Sequence, residues 1–384
     1  MTKTRVAVIG AGTAGCGVAL RAAQLGADVV VIERETPASG SSSRSAGVYN
    51  YQTSNPLDIE VRIRARELFF RLERERQLPL AKIGNVRVAA TEAQLETLAE
   101  VQKIQRSLGG MDSRLLDRAG LGKLVPDMKV DDLAGGLFGP TDGHLDGYLL
   151  CNTILAEAKE NGARVLTNTM VEGYEKRGDR HILKTSRSYV EADFVFNAAG
   201  AWAGKVGTML GHDVPLKPQL HEVFIVKLPR KLDYVVPMVN FYMPGQSGEA
   251  LYFRQEGAES LIAGLHTYEA VEGLDVDPDD FGPSIGDDNM IAVATLLTER
   301  LPIEGLGFGS GWYGLYPISV DDRFQVGPFE ADPTVFVVGG LGGVGVTMGS
   351  IFGMAAAEWA LKGRPEIVPS VTTLRPDRPS LKAA

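Results

Sequence analysis

The sequence predicts an α/β protein in two parts: a parallel-sheet domain assembled from discontinuous stretches of chain, and a second, mainly antiparallel β-sheet domain (α+β). Three observations predict it. A continuous β-branched run, Arg5 to Ile9, enters a glycine-rich turn and then a helical pattern. A second strand, glycine loop and helix recurs at Val335 to Trp359, and strand-like stretches fill the chain between. The length, 384 residues, suits two or three domains of about 150 residues each.

The first element is the most informative. Gly10-Ala11-Gly12-Thr13-Ala14-Gly15 follows the strand directly, and Val18, Ala22 and Leu25 then recur at helical spacing until Gly26. A second strand, Asp28 to Ile32, ends in Glu33, with Arg34 beside it. This βαβ unit is Rossmann-like. Gly10 permits the tight turn, Gly12 lets backbone approach a pyrophosphate, and Gly15 lets helix and strand pack closely. The helix N-terminus, opening at Thr13 and Ala14, meets the negative charge. Glu33 would accept from a ribose 2′-hydroxyl and would repel a 2′-phosphate, which favours FAD or NAD over NADP.

Farther along, Gly147 to Asn161 reads as an amphipathic helix with Leu150, Ile154, Leu155 and Ala158 on one face. Strands begin at Arg164 and Val171, and Asp193 to Phe196 is a buried strand running into Asn197-Ala198-Ala199-Gly200-Ala201-Trp202. Val335 to Val338 leads into Gly339 to Gly345, where bare amides and a helix N-terminus suit negative charge. Between these pieces lie Asn85 to Ala89 and a helix over Thr91 to Leu108. Then come strands at His221 to Lys227, Ala250 to Arg254 and Ser260 to Leu265, and a helix near Asn289 to Leu301. The nucleotide-binding domain is therefore expected over 1–80, 141–214 and 311–384, and the substrate domain over 81–140 and 215–310. Asn55-Pro56 opens a charged helix whose Arg62, Arg64, Arg66, Arg71 and Arg74 read as a solvated, salt-paired face, and Pro376 to Ala384 as a loose tail.

Composition excludes several functions. Lys and Arg total 39 against 48 Asp and Glu, a net charge of -9, which argues against nucleic acid as a partner. Cys16 and Cys151 allow at most one disulfide and no metal or cluster ligand set. No apolar run is expected to approach the ~18 residues that cross a bilayer, and the strand at Arg5 leaves no room for a leader, so a cytoplasmic protein is expected.

The opening fingerprint, Ser41-Ser42-Ser43-Arg44-Ser45-Ala46-Gly47, the segment 142–171, FVFNAAGAWA at 194–203 and GGLGGVGVTMG at 339–349 together resemble the FAD-dependent D-amino-acid oxidase (DAO) superfamily. The nearer branch is that of the sarcosine and dimethylglycine oxidases or dehydrogenases and of glycine oxidase. The resemblance implies FAD as cofactor, with Ser42, Ser43, Arg44, Ala46 and Gly47 along it, Met170 and Val171 near adenine, and Ala198, Gly200 and Trp202 close by. It also sets Gly342, Gly343, Val344, Gly345, Val346 and Thr347 against the flavin.

The same resemblance places His266 over the flavin and Tyr316 near the substrate. His221 is a second titratable candidate. Tyr252 and Arg254, two apart on one strand, would face the cavity together, Arg254 as the candidate for a substrate anion. Departures from the family pattern are informative. Asn50 and Thr347 stand where a carboxylate-clamping arginine and lysine are expected, and Gly314 and Arg44 where flavin would be covalently bonded. Ile262 replaces a lysine associated with oxygen activation. The implied function is oxidation of a C–N bond in a small amine or amino acid by noncovalent FAD, with oxygen or another acceptor reoxidising it. Alternatives are C–O oxidation of a 2-hydroxy acid or polyol phosphate, and a flavin-bearing subunit of a larger complex.

Overall fold

The structure, a computed structural model, describes residues 3–109, 112–243, 248–267, 271–282 and 286–382. One sheet has six strands in the order Gln325–Pro328, Val335–Gly339, Phe194–Asn197, Arg5–Ile9, Asp28–Ile32 and Arg164–Leu166. All neighbours are parallel except the Gln325–Pro328 edge. The central strands are continuous β-branched runs because helices or a second layer cover both faces. On one face, helix Thr13–Gln24 packs along helix Gly345–Lys362, and the small residues of both let them meet closely.

Residues Gly342–Lys362 are, by length and composition, apolar enough to cross a membrane. This corrects the expectation that no run comes near that length. The stretch is rich in Gly, Ala, Ser and Thr and carries Glu358, which pairs with Arg21, and 72% of its apolar window is buried inside the protein, as in a core helix.

The second sheet has eight strands in the order Gly307–Ser319, Leu216–Lys227, Ser260–His266, Ala250–Gly257, Met238–Asn240, Asn85–Ala89, Gly135–Gly139 and Arg114–Asp117. Its pairs are antiparallel except that of Met238–Asn240 with Asn85–Ala89. Helix Asp287–Arg300 buries Val293 and Leu297 against it. Strand Gly307–Ser319 runs unbroken through residue 311, where a domain boundary was expected.

Two registers position the site. His221 pairs with Gly314, so Tyr316, two residues on, is its diagonal same-face neighbour. Tyr252 pairs with Gly264, so His266 stands diagonal to Tyr252 in the same way.

Two expectations need correction. On helix Pro56–Arg76, Arg62 is not solvated but 2% exposed, because it shares the buried stripe of Ile59, Ala65, Phe69 and Leu72. It donates from NH1 to the Asn50 carbonyl oxygen at 2.9 Å and to Asn50 Oδ1 at 3.1 Å. Arg66 stacks on Tyr51 and Phe70, while Arg64 and Arg71 do pair outward with Glu67 and Glu75. The C-terminal segment is not loose. Arg378 pairs with Asp321 at 2.6 Å, and the short helix Pro379–Lys382 buries Leu381, residues 383–384 lying outside the described residues. Cys16 and Cys151 are buried free thiols.

Candidate active site

The first glycine turn opens a cavity of ≈ 470 Å³ between the two sheets. Gly10 has φ +103°, and a Cβ there would fall 2.5 Å from the Ala198 carbonyl oxygen, so the turn can close only with glycine. Glu33 is held on the cavity wall by two backbone donors, Ala11 N to Oε2 at 2.8 Å and Glu35 N to Oε1 at 2.9 Å. Each oxygen retains lone-pair capacity for a further donor. Ser42 Oγ accepts from Thr13 N at 3.2 Å, and Thr13 Oγ1 donates to the Gly345 carbonyl at 2.9 Å, which ties the two glycine loops together.

Of the expected cofactor residues, all but Gly15, Ser43, Gly47, Val344 and Thr347 line this cavity. The exceptions have structural reasons. Gly15 packs on the Gly10 carbonyl and Gly47 on that of Leu145, each leaving no room for a side chain. Ser43, its N–H bonded to Ala38 O, is exposed to solvent outside the cavity, and Val344 is buried in the core. The Thr347 hydroxyl donates to the Val48 carbonyl at 2.7 Å.

At one end of the cavity the second sheet contributes a cluster of rings. His221 and Tyr316 stack with centroids 4.0 Å apart, and His266 Nδ1 lies 3.4 Å from Tyr316 Oη. Tyr252 and Tyr242 meet His266 edge-on at 6.4 and 5.8 Å. Tyr252 and Tyr316 line the cavity, while His266 stands just behind, against the second glycine loop. A Cβ on Gly343 would come within 2.5 Å of Tyr316 and 2.8 Å of His266, so only glycine lets the loop approach these rings.

Electrostatics set the protonation states. Burial, then Arg87 and, after it, His221 and Arg62 push the His266 pKa down to about 3, which leaves the imidazole neutral. Burial also pushes the Tyr252 phenol well above its ordinary range, so it remains a hydrogen-bond donor.

Arg254 does not join the cluster. Its guanidinium donates to the Ala46 carbonyl through Nε at 3.2 Å and NH2 at 2.9 Å, and pairs with Glu256. It fastens the serine-rich strip to the second sheet instead of facing the cavity. Ile262 is fully buried with Val223, Met238 and Tyr252.

The sequence pattern of the family described as "DAO: FAD dependent oxidoreductase" matches residues 5–359. The chain belongs to this family. Among curated DAO-type relatives, it is 29% identical to the mitochondrial sarcosine dehydrogenase of Mus musculus over 94% of its own length and 40% of that protein's. The chain thus spans about two fifths of the first curated relatives it matches. It is 24% identical to the monomeric sarcosine oxidase of a Bacillus species, covering 98% of this chain and 96% of that one. Among solved structures, L-proline dehydrogenase from P. horikoshii superposes with a TM-score of 0.86 at 25% identity, covering 97% of each chain. Glycine oxidase from Geobacillus kaustophilus shares the fold with a TM-score of 0.79 at 21% identity, covering 98% of this chain and 99% of that one.

The residues present fit the family's FAD. The Gly10 turn brings backbone close to the cavity, Glu33 is fixed as a hydroxyl acceptor, and two helix N-termini open beside each other where Thr13 meets Gly345. Sequence reasoning missed three residues at this candidate site: Tyr242 and Arg87, neighbours of His266, and Asp279 on the cavity wall. Tyr242 lies outside any strand pattern, and Arg87 is a charged residue in a short, fully buried strand. Asp279 reaches the cavity from the other domain.

Proposed function

We propose that the chain oxidises the C–N bond of a small amine or amino acid, of the N-methyl or D-amino-acid type, to an imine that water hydrolyses. Bound FAD supplies the two-electron acceptor for that oxidation. The observation that carries this reading is the neutral His266 set among Tyr242, Tyr252 and Tyr316 against Gly343. Hydride loss from the carbon next to nitrogen needs the amine as its free base, with its lone pair available. The burial that keeps His266 unprotonated, together with the nearby positive charge of Arg87, also disfavours an ammonium in the same place. The tyrosine rings exclude water, and their hydroxyls orient the substrate. The sarcosine-oxidising relatives support the same substrate class.

C–O oxidation must shed an O–H proton to a base. An imidazole titrating at about 3 is a weak one, which favours the amine reading. FAD is held noncovalently in this reading. Arg44 and Gly314 face each other, with Arg44 Cβ 3.5 Å from where a Cβ on Gly314 would stand, and neither offers a thiol or imidazole. Acid precipitation should therefore release all the flavin into the supernatant.

The deciding experiment is anaerobic bleaching of the flavin band by N-methylated amines, D- and L-amino acids and 2-hydroxy acids. Bleaching by an amine or amino acid supports the proposal, and bleaching by hydroxy acids alone overturns it.

A further inference from the structure

The segment 275–281 leaves the second sheet and reaches the cofactor cavity at the end that holds Glu33, where Pro278, Asp279 and Phe281 form part of the wall. Its root is fixed to the sheet. Val276 N donates to the Pro218 carbonyl at 2.9 Å, Gln219 Nε2 donates to Asp275 Oδ1 at 2.7 Å, and Phe281 meets Tyr313 edge-on at 5.8 Å. A tight turn aims its tip, with Asp279 N donating to Asp277 Oδ1 at 2.9 Å.

From that tip Asp279 ties down two parts of the other domain. Its Oδ1 accepts from Trp202 Nε1 at 2.6 Å and from Arg34 NH1 at 3.4 Å, and its Oδ2 from Lys205 Nζ at 2.6 Å. Lys205 also donates to Asp277 at 2.6 Å, and the Arg34 guanidinium lies 3.8 Å from the Trp202 ring centroid. Arg34, Trp202 and Lys205 all line the same end of the cavity.

We propose that Asp279 is a cofactor-retaining residue supplied by the substrate domain: it latches 275–281 onto Trp202, Lys205 and Arg34 and slows the dissociation of FAD. The latch has no part in the oxidation, so the proposal holds whichever substrate the enzyme uses. Charge gives it a distinguishing sign. A carboxylate that merely faced the diphosphate of FAD would repel it, and its removal would tighten binding. Removal of a latch speeds release. The ion pairs are half exposed, so salt should loosen the latch in the wild type.

The test is the rate at which free-flavin fluorescence appears after dilution of purified holoenzyme, for wild type, Asp279→Ala, Asp279→Asn and Lys205→Ala. Asp279→Ala should release FAD about tenfold faster at low salt, with Asp279→Asn and Lys205→Ala between it and wild type. Raising the salt should speed wild-type release toward the Asp279→Ala rate and leave that variant nearly unchanged. Release from Asp279→Ala and Lys205→Ala at or below the wild-type rate overturns the proposal, as does an equal salt response in all four proteins. If Asp279→Ala does not fold, Asp279→Asn and Lys205→Ala decide it by the same criteria.

Discussion

The imidazole of His221 stacks on the ring of Tyr316 at 4.0 Å between centroids and 25° between planes. Because the two are diagonal neighbours across one antiparallel pair, the stack follows from strand register and holds the Tyr316 hydroxyl toward His266. Tyr316→Phe keeps the stack and removes only the hydroxyl. The rate of flavin reduction by the amine that bleaches best should fall about tenfold, the effect of one neutral hydrogen bond to substrate. Flavin content should not change, and a variant as fast as wild type would exclude the hydroxyl from substrate handling.

The pKa of His266 predicts a pH dependence of stability. Burial and the nearby positive charges hold it at about 3, against 6.5 in the unfolded chain. Between those values the unfolded state binds a proton that the native state does not, so stability rises with pH over this window and is lost as pH falls from 6.5 toward 3. At pH 5 the cost from His266 is about 2 kcal/mol. His144, lowered to about 4 first by burial and then by Arg254, acts in the same direction. Urea midpoints at pH 7 and pH 5 should therefore differ more for wild type than for His266→Asn. The pH profile of flavin reduction should show no His266 limb between pH 5 and 9.

Gly343→Ala tests the close approach of the second glycine loop. The added Cβ would stand 2.5 Å from Tyr316 and 2.8 Å from His266, so loop or rings must shift. A displacement of that size at a reacting centre should lower the rate of flavin reduction about 100-fold. The far-UV circular dichroism should stay as in wild type, since Gly343 is confined to a single short 3₁₀ turn. An alanine variant with full activity would show that the rings do not need the loop where it lies.

What could be read from the sequence was local, and what could not was long-range. Gly10, Gly12, Gly15 and Glu33 lie in one βαβ unit, where strand, turn and helix each leave their own pattern, and the structure pairs Arg5–Ile9 with Asp28–Ile32 as expected. His266 and Tyr316 were accessible through the resemblance. Arg62 was misread because charge density on helix Pro56–Arg76 masks a buried stripe. Arg254 was misread because a spacing of two fixes a face of the strand but not whether a neighbouring carbonyl, here that of Ala46, has claimed the guanidinium. Asp279 and Arg34 are separated by most of the chain, and nothing at either position announces the other.

Glu33 gives the most direct test of the cofactor site. Its two oxygens take the N–H groups of Ala11 and Glu35, so the carboxylate both braces the glycine turn and presents an acceptor to the cavity. Glu33→Gln keeps the size but offers one acceptor oxygen where there were two, setting an amide NH2 against a backbone N–H. Hydrogen bonds to a charged acceptor contribute roughly 1.5–3 kcal/mol each. Loss of one bond, with weakening of the other, should raise the dissociation constant for FAD by about 10- to 100-fold. Titration of the apoprotein with FAD, followed by quenching of protein fluorescence, measures this directly. The same substitution should leave the salt dependence of FAD release as it is in wild type, because Glu33 is buried while the Asp279 ion pairs are half exposed. A Glu33→Gln protein that binds FAD as tightly as wild type would mean that the carboxylate only braces the turn.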